Sequence, residues 1–163
     1  MAHFHLVLVR PEIPQNTGAI GRLCVSTGTR LHLVKPLGFS LEDKFVRRAG
    51  MDYWPHLDLA VHENWEDFLA SAPGARMWFF STKGEKVFWD CGFRDGDYMV
   101  FGSESCGLPP ELYERYRDRL SLIPMGGDFY RSLNLANSAA VALYEGLRQT
   151  ASTARCRPAE KAP

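Results

Sequence analysis

The sequence predicts a single α/β domain whose sheet is mostly parallel. Strand-like apolar runs alternate with helix-like segments along most of the chain, which is the order that a parallel sheet with connecting helices requires. A length of 163 residues suits one hydrophobic core, and 45% hydrophobic with 23% charged residues is ordinary for a globular protein. We therefore expect one domain over residues 1–150 and a flexible polar tail over residues 151–163.

The strands are predicted from short runs of β-branched, aromatic and other apolar side chains that are bounded by turn-forming residues. The first run, FHLVLV, stops at Arg10-Pro11 and leads directly into a proline-rich loop. In chain order the predicted strands cover residues 4–9, 31–34, 59–62, 77–81, 98–101 and 120–123.

The helices are predicted from the residues that start and stop them. Pro14 suits a first helical turn and Gly28 a helix end, so a helix is expected between them. Asn64 can cap the next helix with Asp67 as a capping-box-like partner, and Ser132 can cap the last one. In chain order the predicted helices cover residues 15–27, 43–49, 65–72, 109–116 and 133–150, of which the second is a short basic turn.

Composition excludes several classes of protein. The longest apolar runs are far too short to span a bilayer, and the amino terminus lacks the basic region of a signal peptide. We therefore expect a cytoplasmic protein with no membrane contact. The cysteines form no CxxC pair and have no histidine at metal-ligand spacing, so neither a metal site nor a disulfide framework is expected. These cysteines are Cys24, Cys91, Cys106 and Cys156.

The formal net charge of zero hides an uneven distribution along the chain. Residues 1–48 hold seven basic and three acidic side chains, residues 49–128 seven basic and fourteen acidic, and residues 129–163 five basic and two acidic. Such asymmetry within one domain favours a basic face toward a polyanion and an acidic face elsewhere. Ordinary solvated charge patches give the same counts, so the charges alone do not identify a partner.

Three segments of unusual composition follow predicted strands, where ligands bind in folds of this class. The first, PEIPQNTGAIGRLC, places Asn16 and Gly18 at a helix start, where a backbone amide could approach an anion. On the pattern alone, a capped helix with an exposed Arg22 is the somewhat better interpretation. The second, FGSESCGLP, has two glycines that permit a sharp bend close to a ligand, and a plain glycine-rich turn explains it equally well.

The third segment, IPMGGDFYRSLNLANSAAVALYE, joins a glycine-rich loop to the last helix. Asn134 and Asn137 are three residues apart, so they share a helix face at its amino-terminal end. They either satisfy the backbone of neighbouring loops or contact a ligand. Small residues at Ala136, Ala139, Ala140 and Ala142 allow close packing against another helix, which a second subunit could supply.

The order of these motifs, rather than any one of them, resembles a known family. NTGAIGRLC, DKFVRRAGMDYW, FSTKG, FGSESCGLP and IPM…RSLNLANSAAVALYE follow one another as in the SPOUT superfamily of RNA methyltransferases. Within it, the chain is similar to the short tRNA (cytidine/uridine-2′-O-)methyltransferases of the wobble position, from about residue 5 to residue 149. The resemblance implies an enzyme that uses S-adenosylmethionine to methylate the ribose 2′-hydroxyl of that nucleotide.

The resemblance also implies a SPOUT-type sheet with a carboxy-terminal trefoil knot, whose loops hold S-adenosylmethionine, and a homodimer. Arg22 is then the expected catalytic residue and faces the cofactor of the neighbouring subunit. Because a guanidinium is a poor base at neutral pH, holding the substrate in attack geometry suits Arg22 better than removing a proton. The residues expected by motif to bind the cofactor are Phe80, Ser81, Thr82, Gly102, Glu104, Gly107, Ile123, Met125, Ser132 and Leu133.

The implied partner is the anticodon stem-loop of tRNA. Lys44, Arg47 and Arg48 in DKFVRRAG are expected phosphate contacts. A solvated helical face is a fair explanation for any one of them and a poorer one for all three. Asn134 and Asn137 are the other expected RNA-binding residues. Methyl transfer from a sulfonium is an in-line displacement that requires no metal.

Two positions depart from the usual family pattern. The loop after Met125 is about one residue longer than usual and carries Phe129-Tyr130, so the base preference can differ. Cys106 stands in the glycine turn where another residue type is common.

Other functions remain open at this point. One is 2′-O-methylation of rRNA or of another tRNA position, and another is a catalytically silent RNA-binding dimer. The set of Arg22, Gly102 and Ser132 argues against the silent dimer. A flavodoxin-like nucleotide-binding protein would require a phosphate loop that the sequence lacks.

Overall fold

The computed structural model describes residues 3–41, 53–127 and 132–151. Within them, seven strands form one sheet. The strands are β1 (His5–Val9), β2 (Arg30–Val34), β3 (Leu59–His62), β4 (Met77–Phe80), β5 (Lys86–Val87), β6 (Tyr98–Phe101) and β7 (Leu120–Leu122). Their order is β3-β2-β1-β6-β4-β7-β5, and each neighbouring pair is parallel. The predicted α/β class with a mostly parallel sheet is confirmed.

The described part of the chain holds four α-helices, of which three connect strands and the last follows β7. They are α1 (Pro14–Thr27), α2 (Trp65–Ser71), α3 (Pro110–Arg115) and α4 (Leu135–Thr150). Local signals set the bounds of α1, since a proline occupies its first turn and Gly28 ends it in the left-handed conformation, with φ of 67°. The predicted basic turn over residues 43–49 and the tail beyond residue 151 lie outside the described residues.

The predicted caps were correct for α2 and wrong for α4. The Asn64 side chain accepts a hydrogen bond from the Asp67 amide at 2.9 Å, as expected, while the Asp67 carboxylate accepts from the Glu63 amide instead of the Asn64 amide. Ser132 does not cap α4. Asn134 does, because its Oδ1 accepts hydrogen bonds from the backbone amides of the first helical turn.

The core lies in two layers on the two faces of the sheet, as the alternation of side chains along each strand requires. On one face Leu6 and Leu8 pack with the apolar sides of α1 and α4, and on the other Val7 and Val9 pack with α2 and α3. Ala139 and Ala142 are fully buried in the first layer. Their small size therefore serves packing within this chain.

A chain of three histidines crosses the α2 face of the sheet. His5 Nδ1 lies 3.0 Å from His32 Nε2, and His32 Nδ1 lies 3.0 Å from His62 Nε2. Burial lowers the pKa of all three imidazoles, and it lowers the pKa of His32 to about 3. The neutral form of the histidine chain is therefore the one that the fold stabilises.

Connectivity places a crevice at the carboxyl edge of the sheet. From β1 the chain runs outward to β2 and β3, and it then crosses to build β4, β5, β6 and β7 on the other side. The loops after β1 and β6 therefore leave adjacent strands in different directions, which is where open parallel sheets bind ligands. No helix in the described part of the chain is long and apolar enough to cross a membrane.

Candidate functional site

A large cavity occupies this crevice, with a volume of about 1140 Å³. Its walls come from the segments that follow β1, β2, β4, β6 and β7 and from the start of α4. All ten residues expected to bind the cofactor line it. They are Phe80, Ser81, Thr82, Gly102, Glu104, Gly107, Ile123, Met125, Ser132 and Leu133. Segments that lie far apart in the sequence thus meet around one space.

The glycine turn after β6 forms one wall of the cavity and requires glycine at both ends. Ser103 and Gly107 exchange two backbone hydrogen bonds of 3.0 and 2.9 Å, which closes the turn. Gly107 has φ of +71°, and a Cβ on Gly102 would lie 1.9 Å from the Gly107 carbonyl carbon. Larger residues at these two positions are therefore excluded by backbone strain at Gly107 and by direct overlap at Gly102.

Glu104 places a carboxylate at the amino-terminal end of α1. Its two oxygens accept hydrogen bonds from the Glu12 amide at 2.8 Å, the Ile13 amide at 3.2 Å and Asn16 Nδ2 at 2.9 Å. The sequence predicted that an anion could approach backbone amides here, and the anion is the protein's own side chain. A carboxylate at this position is favoured by the helix dipole.

Two further contacts tie the neighbouring loops together. The Glu12 carboxylate accepts from the amide and the hydroxyl of Ser105, at 3.1 and 2.7 Å. Asn16 Oδ1 accepts from Asn134 Nδ2 at 2.9 Å. We call the contacts made by Glu12, Asn16, Glu104, Ser105 and Asn134 the loop clasp, since they join the loops after β1 and β6 to the start of α4.

The expected RNA-binding asparagines differ in what they contact. Both side-chain polar atoms of Asn134 are engaged within the protein, through the cap of α4 and the loop clasp. Asn137 is exposed on α4. Their role toward RNA stays a prediction. Lys44, Arg47 and Arg48, together with Phe129-Tyr130, lie outside the described residues.

Arg22 lies on an exposed face of α1 and does not line the cavity of its own chain. Among the described residues, none forms a hydrogen bond or ion pair with its guanidinium. The neighbouring Tyr53 donates its hydroxyl to the Gly18 carbonyl at 2.7 Å. Burial raises the pKa of Tyr53, and the nearby charge of Arg22 opposes that rise. Arg22 thus lies outside the cavity that the expected cofactor-binding residues line.

Several residues on the wall of the cavity were not predicted. Arg10 follows β1 with φ of 55°, and its guanidinium lies 3.0 Å from the Glu111 carboxylate. Lys83 Nζ lies 5.2 Å from the centre of the Tyr113 ring. Arg10 and Lys83 could have been found from the sequence, because each lies within three residues of the end of a predicted strand. Cys106 is exposed and also lines the cavity.

Metal-ligating side chains do not gather at this site. Across residues 3–41, 53–127 and 132–151, no group of three or more histidine, cysteine or acidic residues could hold a metal ion. The polar side chains on the wall of the cavity carry hydroxyl, amide or charged groups, such as those of Ser81, Asn16 and Lys83.

Comparison with known proteins adds sequence and structural similarity to this geometry. The model of the SpoU rRNA Methylase family matches residues 3–144. A tRNA (cytidine(34)-2'-O)-methyltransferase from Methylovorus glucosotrophus is 53% identical over 150 residues, which cover 90% of this chain and 95% of that protein.

Solved structures give the same result. A structure concerned with the 2-OH methylation of C/U34 on tRNA has 48% identity and a TM-score of 0.87, covering 91% of this chain and 96% of its own. An AdoMet-bound rRNA methyltransferase from Sinorhizobium meliloti has 27% identity and a TM-score of 0.81, covering 92% of this chain and 57% of its own.

Proposed function

Because the chain belongs to the SpoU rRNA Methylase family, we propose that it methylates the ribose 2′-hydroxyl of the wobble nucleotide of tRNA, with S-adenosylmethionine as the methyl donor. The nucleotide is a cytidine or a modified uridine. Relatives about half identical over nearly their full length are named tRNA (cytidine(34)-2'-O)-methyltransferases. The observation that carries the proposal is the cavity, since residues assigned to a methyl donor by resemblance alone line a single space.

The cavity fits S-adenosylmethionine in size and in chemistry. Its volume of about 1140 Å³ is slightly above the range of roughly 300 to 1,000 Å³ that is usual for ligand pockets, so the donor would leave part of it for the substrate. Apolar side chains such as Leu108, Ile123 and Leu133 offer a surface for the adenine, and the glycine turn offers backbone polar groups close to the cavity. The donor would be held by Phe80–Thr82, the turn from Gly102 to Gly107, Ile123, Met125, Ser132 and Leu133.

The reaction is an in-line displacement at a methyl carbon. When bound, S-adenosylmethionine supplies a methyl group activated by its sulfonium. Transfer would form the bond between the ribose O2′ and the methyl carbon, break the bond from that carbon to sulfur and pass the hydroxyl proton to water. Arg22 holds the adjacent phosphate and the hydroxyl in attack geometry, and such positioning can supply several kcal/mol.

The placement of Arg22 supports a homodimeric enzyme. Since Arg22 is exposed and absent from the wall of its own cavity, it is free to complete the cavity of a second copy of the chain. Lys44, Arg47 and Arg48 would bind phosphates of the anticodon stem-loop, and Asn134 and Asn137 would lie near the RNA. The enzyme would act in the cytoplasm on tRNA.

We also propose that the carboxy-terminal segment forms a trefoil knot. Strand β7 lies between β4 and β5 in the sheet, and the chain then returns to build α4 against β6 and α1. This order supports a threaded path, which is rare among proteins.

The proposed function is tested by incubating the protein with radiolabelled S-adenosylmethionine and total tRNA, and then mapping the 2′-O-methylated nucleotide. We expect label at the first anticodon position. Label at another tRNA position, label only in rRNA when rRNA is supplied, or no transfer at all would each contradict the proposal. The Arg22→Lys variant is the matched control for transfer by a contaminating enzyme.

A further inference from the structure

We propose that Glu104 is a positioning residue that fixes α1, and with it Arg22, rather than a ligand of the methyl donor. The inference rests on the proposed function for the role of Arg22. It departs from what the resemblance assigned to Glu104, which is cofactor binding.

The hydrogen bonds of Glu104 point toward α1. Each oxygen of its carboxylate already accepts a hydrogen bond at the amino-terminal end of that helix. Oε2 accepts from the Glu12 amide just before the helix, and Oε1 accepts from the amide of Ile13, the N-cap residue, and from Asn16 Nδ2 in the first turn. Hydrogen bonds to an ionised carboxylate are roughly twice as strong as neutral ones, and the helix dipole adds to the attraction. The side chain therefore has a complete structural role before any donor is bound.

The other contacts of the loop clasp join the same segments a second time. The Glu12 carboxylate accepts two hydrogen bonds from Ser105, which follows Glu104 in the chain. Asn16 Oδ1 accepts a hydrogen bond from Asn134 Nδ2, and Asn134 Oδ1 caps α4. The glycine turn, the start of α1 and the start of α4 are thus joined by a continuous set of hydrogen bonds.

Apolar packing of α1 against the sheet cannot take over the role of the hydrogen bonds in the loop clasp. Ile20 and Cys24 are fully buried against the sheet, and this burial is non-directional. It fixes the distance between α1 and the sheet more firmly than the position of α1 along its axis. The directional hydrogen bonds at the amino-terminal end fix that position. Asn16 and Arg22 are six residues apart, or roughly 9 Å along a helix, so a shift at one is transmitted to the other.

The test is the substitution Glu104→Gln, which keeps the size of the side chain and removes one acceptor atom. A displacement of about 1 Å at a reacting group can cost about 100-fold in rate. We expect kcat on tRNA to fall at least about tenfold, while the Kd for S-adenosylhomocysteine, measured by calorimetry, changes less than about threefold. Hydrogen exchange of the Glu12 and Ile13 amides should become faster. The matched control is Glu63→Gln, at a carboxylate whose side chain is 72% exposed.

A loss of S-adenosylhomocysteine affinity without a loss of kcat would overturn the inference. If Glu104 binds the donor, Glu104→Gln weakens S-adenosylhomocysteine binding and leaves kcat at saturating donor unchanged. Unchanged exchange at both amides would also overturn it. If the wild-type protein methylates no tRNA, the proposed function is wrong. The calorimetry and the hydrogen exchange need no RNA, so they still test the role of Glu104 in that case.

A second variant separates positioning from a chemical need for the carboxylate. Asn16→Asp combined with Glu104→Gln exchanges donor and acceptor between the two side chains and preserves the total charge. We expect kcat of this double variant to be at least about threefold higher than that of Glu104→Gln, because the link between the glycine turn and α1 is restored. A double variant no faster than Glu104→Gln would count against positioning.

Discussion

Acidification should destabilise the protein through the buried histidine chain. The pKa of His32 is lowered from its ordinary value of 6.5 to about 3, because burial penalises the imidazolium and the neighbouring His5, His62 and Arg30 repel it. In the folded protein His32 therefore stays neutral at pH values where an unfolded chain would bind a proton. The stabilising contribution is complete above about pH 6.5 and is lost as the pH falls from there toward about 3.

Between the two pKa values, the magnitude follows from how far the pH lies below the pKa of the unfolded imidazole. A pH of about 5 is about 1.5 units below the pKa of the unfolded imidazole. At about 1.36 kcal/mol per unit, His32 then lowers the free energy of unfolding by roughly 2 kcal/mol. His5 and His62 add in the same direction, since burial lowers the pKa of both. The groups that face them are Arg30, Asp58, His3 and Tyr98 around His5, and Asp67 around His62.

The assay is urea unfolding followed by circular dichroism at about pH 7.5 and about pH 5. The wild-type protein should lose at least roughly 2 kcal/mol of unfolding free energy between the two conditions. His32→Phe should be less stable at neutral pH and should lose roughly 2 kcal/mol less on acidification. His56→Gln is the control for loss of an exposed histidine. Equal acid losses for wild type and His32→Phe would refute the reasoning.

Three other predictions concern the site. Arg22→Lys should keep S-adenosylhomocysteine affinity in calorimetry and lose about 100-fold in turnover, because a lysine cannot hold two groups in the geometry of a guanidinium; turnover at the wild-type rate would remove Arg22 from catalysis. Gly102→Ala should abolish donor binding and lower the Tm, since its Cβ would overlap the Gly107 carbonyl at 1.9 Å; calorimetric binding like that of wild type would contradict the closed turn. Neutralising three basic residues together should weaken tRNA binding and reduce the slope of log affinity against log salt by about 2 to 3; unchanged affinity at low salt would contradict phosphate contacts at Lys44, Arg47 and Arg48.

Local signals in the sequence predicted most of the elements. Pro14 and Gly28 are physical boundaries of a helix, so the bounds of α1 were predicted to within a residue. The predicted cap of α4 was wrong because Ser132 and Asn134 are both good capping residues. The hydrogen bond that holds Asn134 in place is the one it donates to Asn16, which is 118 residues away in the chain. The two-residue β5 was missed since it is too short to show alternation.

The candidate site depended on a different kind of information. The residues that line the cavity were assigned through resemblance, because the pattern of each segment alone had an ordinary explanation. The loop clasp could not be predicted, since Glu12 and Ser105 are 93 residues apart and only the parallel sheet brings them together. The histidine chain could have been predicted, because each of His5, His32 and His62 lies in a predicted strand or next to one, and the three side chains point to one face of neighbouring strands.

The central position of β1 has a consequence for biosynthesis. Strand β1 pairs with β2 on one side and on the other with β6, which is synthesised more than ninety residues later. At about 5–20 residues per second, its second edge waits roughly 5–20 s for a partner. Sheets with such distant pairings fold slowly, so the nascent chain exposes one edge of β1 until β6 has been synthesised.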